Sequence, residues 1–456
     1  MTESAEDRAR RSRKVFEKAT GAHHKGRLDE AIAGYVKALE IDPESSQALN
    51  NMGVALRAKG AFHAAVASYH RAIEIKADDP GSHSNLGNAL RALGRHGEAE
   101  ASHRQALNLD PGYLEARYNL GLVLKDQGKF DEGIACLEEA VKREADYIDA
   151  HWDLALAWLM QGKLGKGFEE YEWRWRLAEN PPRHFDKPAW GGGPLDDRTI
   201  LLYAEQGMGD SIQFARYVPL VAAKGARVVL ECQAPLVALF ESLEGAAEIV
   251  ARDAPLPAFD VQAPLLSLPR IFKTELDSIP ESGAYLATEA VRGKKFADAL
   301  DPGRLNVGIA WAGKPSHRND RNRSAGIEPF IDLLGTPGAT FHSLQVGPRA
   351  GDIAATGCAG LIRDHAPDLQ DFADTAALVS ALDLVISVDT SVCHLAGALG
   401  KPCWVVIPYT PDWRWLMQRE DSPWYPSLRL FRQERFGDWP GVFECLSQAL
   451  EDMTRA

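Results

Sequence analysis

The sequence predicts two fold classes in one chain: an α-helical repeat solenoid, followed by an α/β domain built from two parallel-sheet halves. Three observations predict this. Gly26, Gly60, Gly94, Gly128 and Gly162 recur every 34 residues, and self-similarity at a fixed period marks a repeat array. From Arg198 onward, short apolar runs alternate with helix-period stretches, the pattern of strands joined by crossover helices. The turns after several of those runs carry Gly, Thr, Asp or Arg, the residue types that suit a ligand at the carboxyl edge of a parallel sheet.

The repeat has further registers at the same period. They are Ala31, Ala65, Ala99, Gly133 and Gly167; Ala38, Ala72, Ala106 and Ala140; and Tyr35, Tyr69, His103, Leu137 and Tyr171. Small residues allow two helices to approach closely, and a glycine at φ > 0 ends the first helix of a pair. Pro43 and Pro111 close their units, while in the second unit the proline is displaced to Pro80. The pattern resembles the tetratricopeptide repeat, in about five units over residues 12–180. Asn51, Asn85 and Asn119 form one more register, continued by Asp153, on the first helix of each unit. An Asn amide both donates and accepts, so such a ladder suits an extended polypeptide backbone. It resembles the asparagine ladder of O-GlcNAc transferases and predicts a protein or peptide acceptor in the repeat groove. Asn at this register also suits repeat stacking alone.

The chain has 456 residues and a net charge of −13, with 45% hydrophobic and 25% charged residues. Such an acidic balance argues against a general nucleic-acid partner. Cys136, Cys232, Cys358, Cys393, Cys403 and Cys445 form no C-x-x-C and no Cys/His cluster, which predicts reduced thiols, no metal site and a cytoplasmic setting. The opening MTESAEDRARRSRK lacks the apolar core of a signal peptide. No stretch has the roughly 18 apolar residues a membrane span needs.

Residues 171–197 mix Trp, Pro and Gly and read as a packed connector, with Trp173, Trp175 and Trp190 as anchors. Thr199–Ala204 reads as a strand, EQGMGD as a turn, 211–223 as a helix, 226–230 as a strand and 235–243 as a helix. Gly207 and Gly209 allow close backbone approach, and Asp210 starts the helix, where capping alone also accounts for it. After an irregular middle, 251–304, Asn306–Trp311 reads as a strand. The loop beyond it carries Lys314, His317, Arg318, Arg321 and Arg323, and arginine forks match phosphate oxygens. Another strand ends at Gln345. Leu384–Val388 forms a strand, Asp389–Ser391 a turn, and a helix follows up to Gly400. The N–H groups of Thr390 and Ser391 suit an anion, or Thr390 simply caps that helix. His394, one turn in, reads as a packed core residue or a ligand contact. Trp413, Trp415 and Trp424 pack the halves together or stack on a base or sugar. A closing helix at 439–454 is expected to cross back to the first half.

Two such halves facing a cleft resemble a GT-B glycosyltransferase, with the first Rossmann-like half at 198–300 and the second at 301–456. The stretches EQGMGDSIQFARYVPL, NVGIAWAG with RNRS downstream, and VISVDTSVCHLAGALGKP resemble the bacterial heptosyltransferase family. With YEWRW, SLQ, DWRW and SPWYPS, the whole chain is similar to bacterial proteins that join tetratricopeptide repeats to such a domain. The resemblance implies Asp210 as general base and Arg323 as the cation on the leaving diphosphate, with Arg318 and Arg321 as rivals for that role. It also implies Gly207, Gly209, Gln345, Asp389, Thr390, Ser391 and His394 as contacts of a nucleotide-diphosphate sugar. The implied activity is metal-independent, inverting transfer of a sugar to a protein held by the repeats. Transfer to a lipid or polysaccharide precursor, or a non-catalytic repeat scaffold, are the competing expectations.

Overall fold

The computed structural model describes residues 5–280, 283–317 and 319–455. The chain divides into two compact units, at Ala157–Trp158.

In the first unit, helices pair in sequence: α1 (Ala5–His24) with α2 (Leu28–Ile41), α3 (Ser46–Ala58) with α4 (Phe62–Ile75), α5 (Pro80–Ala92) with α6 (His96–Leu109), and α7 (Leu114–Asp126) with α8 (Phe130–Arg143). Helices α9 (Ile148–Met160) and α10 (Leu164–Glu170) follow, and the division falls within α9. The 34-residue glycines all take φ between 71° and 79°, the left-handed conformation that only glycine adopts without strain. The other registers meet across each pair. A Cβ on Gly53 would lie 2.5 Å from the Tyr69 ring, and one on Gly87 would lie 2.5 Å from His103. Ala31, Ala65 and Ala99 are fully buried beside them. Pro80 opens α5 at its first turn, where its missing N–H has no intrahelical partner to lose. Asp79 caps the same helix through the Ser82 N–H, at 2.9 Å.

The second unit carries two sheets, every strand pairing parallel. Among the described residues the first holds β1 (Thr199–Tyr203), β2 (Arg227–Cys232), β3 (Ala246–Ala251) and β4 (Val261–Pro264), in the order β3-β2-β1-β4. The second holds β5 (Leu305–Ala310), β6 (Ala339–Ser343), β7 (Ile362–Asp364), β8 (Leu384–Val388), β9 (Cys403–Ile407) and β10 (Leu428–Arg432), in the order β10-β9-β8-β5-β6-β7. Strand order therefore reverses at β1 in one lobe and between β5 and β8 in the other. Ligands of open α/β sheets bind beyond the carboxyl ends of strands at such switch points. The core of the second lobe is built on Val307, Ile309, Leu384, Ile386 and Val388, buried under helices on both faces.

Four expectations change. The helix read at 211–223 is two, α11 (Met208–Ala215) and α12 (Val218–Ala222), because Pro219 at the start of α12 has no N–H with which to continue the first. The middle stretch 251–304 is not irregular throughout: Val261–Pro264 is the edge strand β4, too short to show alternation. Helix Ala290–Ala297 lies inside the range read as the first half but packs on the second lobe. Its Arg292 pairs with Asp371 at 3.0 Å and Asp374 at 2.9 Å, and Phe296 meets His365. The closing helix Trp439–Arg455 does not cross back. Its Val442, Phe443, Leu446 and Leu450 fill the second-lobe core, with Phe443 edge-on to Phe330 at 4.8 Å.

Candidate functional site

The turn after β1 leads straight into α11. Gly207 caps it in extended conformation, and its N–H donates to Asp210 Oδ2 at 2.8 Å. Asp210 therefore closes its own helix start, as the capping reading expects. Its other oxygen does something the sequence did not signal: Oδ1 accepts from Arg414 Nη2 of the opposite lobe.

Arg414 sits in the turn Trp413–Trp415, beyond β9. Its Nη1 donates to Asp412 at 2.8 Å, its Nε to Gln213 of α11 at 2.5 Å, and its guanidinium stacks on Trp413 at 4.4 Å. Burial alone would lower this guanidinium's pKa, but Asp412 and Asp210 outweigh burial and hold it above its usual value. A second arginine braces the lobes from the other side. Arg216 donates to the Trp424 carbonyl at 2.7 Å and lies over the Tyr425 ring at 4.6 Å. Trp413 and Trp424 meet Phe168, and Trp424 also meets Phe214, edge-to-face at 5.6–6.5 Å. These two tryptophans pack the lobes together.

Asp389 follows the last residue of β8, and Thr390 caps helix Ser391–Ala398 through the Val392 N–H. The N-terminus of this helix abuts that of α11. A Cβ on Gly209 would lie 2.8 Å from the His394 ring and 3.5 Å from the Ser391 Cα, so a side chain at 209 would push the lobes apart. His394 bonds Tyr425 Oη through Nδ1 at 3.0 Å and stacks on Trp415 at 5.4 Å. Burial, reinforced by Arg414, Arg216 and Arg323, pushes its pKa well down. Burial and the neighbouring Asp412 push the Asp389 carboxyl up to about 6, against the pull of Arg323, Trp415 and Arg414.

Of the basic loop, Arg323 faces this cleft. It lies 3.7 Å from Asp320 and against the backbone of Gly313, where an added Cβ would come within 2.5 Å of its Nη2. Arg323 acts on Asp389 and His394, and His317 feels both Arg323 and Asp210. Asp210, Asp412 and Arg414 are thus hydrogen-bonded together, and His317, Arg323 and Asp389 lie near enough to feel their charges. Arg321 is solvent-exposed. Arg318 lies outside the described residues. Gln345 Oε1 accepts the N–H groups of Trp311 at 3.1 Å and Ala312 at 3.0 Å, tying the end of β5 to the residues after β6.

Asp389, Cys393 and His394 bring their ligand atoms within 4.8 Å of one another. This corrects the expectation of no Cys/His cluster: Cys393 and His394 are adjacent, and the turn after β8 brings Asp389 to them. The Cys393 thiol donates to the Thr390 carbonyl at 2.9 Å, and Arg414, Arg216 and Arg323 all act on His394. Beside the carboxyl end of β1 lies a cavity of about 320 Å³, lined among others by Arg174, Trp175, Tyr203, Glu205 and Arg252. Its floor is a buried ion pair, Arg174 to Glu205 at 2.8 Å. Burial pushes Glu205 up to about 7 despite that partner, and Asp210 adds to the rise.

In the repeats, Asn51, Asn85 and Asn119 fall on α3, α5 and α7, the first helices of successive pairs. The neighbouring Asn50 links the first two. Its Oδ1 accepts from Asn85 at 3.0 Å, and its Nδ2 donates to Asn51 at 3.4 Å. Further along the same face, Arg91 pairs with Asp126 at 2.5 Å and Lys125 with Asp153 at 2.8 Å. The amides are therefore partly engaged with the solenoid itself. The Asn51 Nδ2 and Asn85 Oδ1 atoms have no protein partner in these pairs.

Sequence reasoning singled out Asp210, Asp389, Thr390 and His394 by their place after strands, and Arg323 through the resemblance. It missed Arg414 and Asp412 as site residues, because DWRW reads first as aromatic packing. The available signal was an Asp-x-Arg placed just past the last apolar run of a strand.

Residues 23–60 and 53–94 match the model described as TPR repeat, and 90–159 that of the tetratricopeptide repeat. Protein FlbA of Caulobacter vibrioides (strain ATCC 19089 / CIP 103742 / CB 15) is 30% identical over 317 residues, 63% of this chain and 52% of FlbA. The chain thus spans about half the length of this relative. Among solved structures, MamA is 24% identical over 34% of this chain and 91% of its own, with a TM-score of 0.32. YrrB, described as a TPR protein with an unusual peptide-binding site, is 20% identical over 37% of this chain and 86% of its own, at 0.32. PilW, described as a type IV pilus biogenesis factor, is 25% identical over 36% and 78%, at 0.34. No described helix is long and apolar enough to cross a membrane. The chain is a tetratricopeptide-repeat solenoid followed by a Rossmann-like α/β domain of two parallel sheets.

Proposed function

We propose that the α/β unit transfers a sugar from a nucleotide-diphosphate sugar to a hydroxyl of a polypeptide held by the repeats. The observation that supports this best is the pairing of a carboxylate of the first lobe, Asp210, with a cation of the second, Arg414, close to Arg323 and Asp389. The acceptor hydroxyl gives its proton to Asp210 as its oxygen bonds to the anomeric carbon. The bond from that carbon to the phosphate oxygen breaks on the opposite face, and its electron pair leaves with the diphosphate. The configuration inverts. Arg323 and the N–H groups at the start of helix Ser391–Ala398 stabilise the charge that develops on the leaving group. In this reading they supply the positive field that a metal would otherwise provide. The Asn51, Asn85 and Asn119 amides along α3, α5 and α7 suit an extended backbone, which fits a protein acceptor.

Incubation of a native lysate with purified protein and radiolabelled sugar nucleotides should put label on a polypeptide band. Label found only in the solvent extract would replace the protein acceptor with a lipid-linked one. Failure of every sugar nucleotide to bind or react would leave the repeats as an adaptor alone.

The Asp389 carboxyl gives a pH signature. Its folded pKa, about 6, lies above the free value of 3.8. The protonated form is therefore favoured in the fold, and the burden of a buried charge appears as pH rises through 6. A bound diphosphate adds a like charge and raises the group further. Nucleoside diphosphate affinity should then fall between pH 5 and pH 8, by about tenfold for each unit of added shift. Calorimetry on the wild type and on Asp389→Asn checks it. The difference between them cancels titration of the phosphate, and parallel pH curves would rule the effect out.

A further inference from the structure

We propose that Arg414 is the positioning residue of the Asp210 proton acceptor, fixing its carboxylate from across the cleft. The inference rests on the transferase reading above. A general base works when a third group orients it toward the proton it takes. Asp210 is held at both oxygens: the Gly207 N–H takes Oδ2 at 2.8 Å, and Arg414 Nη2 takes Oδ1. One contact comes from its own helix and the other from the opposite lobe, so the carboxylate plane is set by the closed pair of lobes. Each oxygen keeps a second lone pair, and one of these is left to receive the acceptor proton.

Arg414 is itself fixed at every nitrogen. Nη1 is held by Asp412 and Nε by Gln213, which is fully buried on the inner face of α11. The indole of Trp413 confines the guanidinium to its plane at 4.4 Å. Only a planar fork meets three such partners at once; a lysine ammonium is a point charge on a flexible stem. Asp412 shares the cation, so Asp210 is not its sole counter-ion. The arrangement also couples chemistry to lobe closure, since separating the lobes removes Arg414 from Asp210 and leaves a base without an orienting partner.

The test is Arg414→Ala in the full chain, read by transfer rate, by nucleoside diphosphate thermal shift and by rescue with added guanidinium. Transfer should fall about 10²-fold, the scale of a misplaced catalytic group, while the nucleotide shift persists. Added guanidinium should restore much of the loss, and Arg414→Lys should remain impaired. Adding Arg414→Gln to Asp210→Asn should cost no further activity, because one residue acts through the other. An additive double variant, or Arg414→Ala with near wild-type transfer, would overturn the proposal. Loss of both transfer and nucleotide shift that guanidinium cannot restore would also overturn it, making Arg414 a lobe brace only. Full activity in Asp210→Asn alone would instead remove the base assignment beneath it.

Discussion

Asp210→Asn should lower the rate of sugar transfer by about 10²–10⁴-fold, the usual worth of one general base, and leave nucleoside diphosphate binding nearly unchanged. An amide cannot take the acceptor proton at neutral pH. It also cannot satisfy both present donors, because Gly207 N–H and Arg414 Nη2 each need an oxygen and Asn has only one. One donor is left facing an NH₂ group. The variant should therefore melt at lower temperature as well as turn over slowly. Arg414 is 8% exposed and Asp210 18%, so the stability loss is that of a largely buried pair losing charge, a few kcal/mol at most. Rates should be measured well below the new melting point, with the nucleotide-induced shift as the control for folding. Transfer within threefold of wild type would reduce Asp210 to a helix cap and cross-lobe tie.

The contrast between the two halves of the chain shows what sequence carries. In the repeats, every structural demand is local. A φ of 71–79° at the 34-residue glycines, or a ring 2.5 Å from where a Gly53 Cβ would stand, constrains the same positions in each unit. Repetition makes such constraints legible. In the α/β unit, the residues after β1, β5 and β8 were readable because parallel sheets expose their carboxyl ends at switch points. The bond from Arg414 to Asp210 spans 204 positions, and no periodicity links them. The same holds for the placement of Ala290–Ala297 on the second lobe: an amphipathic helix shows which face it buries but not which sheet it buries it against. Gln345 has a structural role that the sequence did not signal, for a related reason. It stands at a strand end, as ligand residues do, yet its carbonyl oxygen is taken up by the backbone of Trp311 and Ala312.

Arg323→Ala should weaken nucleoside diphosphate binding by about 10- to 150-fold, which corresponds to the roughly 1.5–3 kcal/mol of hydrogen bonds to charged groups. Arg321→Ala should change it little, because that side chain points to solvent and screening leaves exposed charges small effects. Arg323→Lys should recover only part of the loss, since the ammonium lacks the fork that meets two phosphate oxygens together. The deletion should also shift the pH curve. Arg323 is one of the groups that hold the Asp389 carboxyl down against burial and Asp412. Without it that group gains its proton at higher pH, so the fall in affinity on raising pH should begin later than in the wild type. A surface cation that merely attracts anions would weaken binding without moving that curve. Weakened binding with the curve unmoved would place Arg323 out of reach of Asp389, and equal effects from Arg321→Ala and Arg323→Ala would mean the basic loop acts only as a diffuse field.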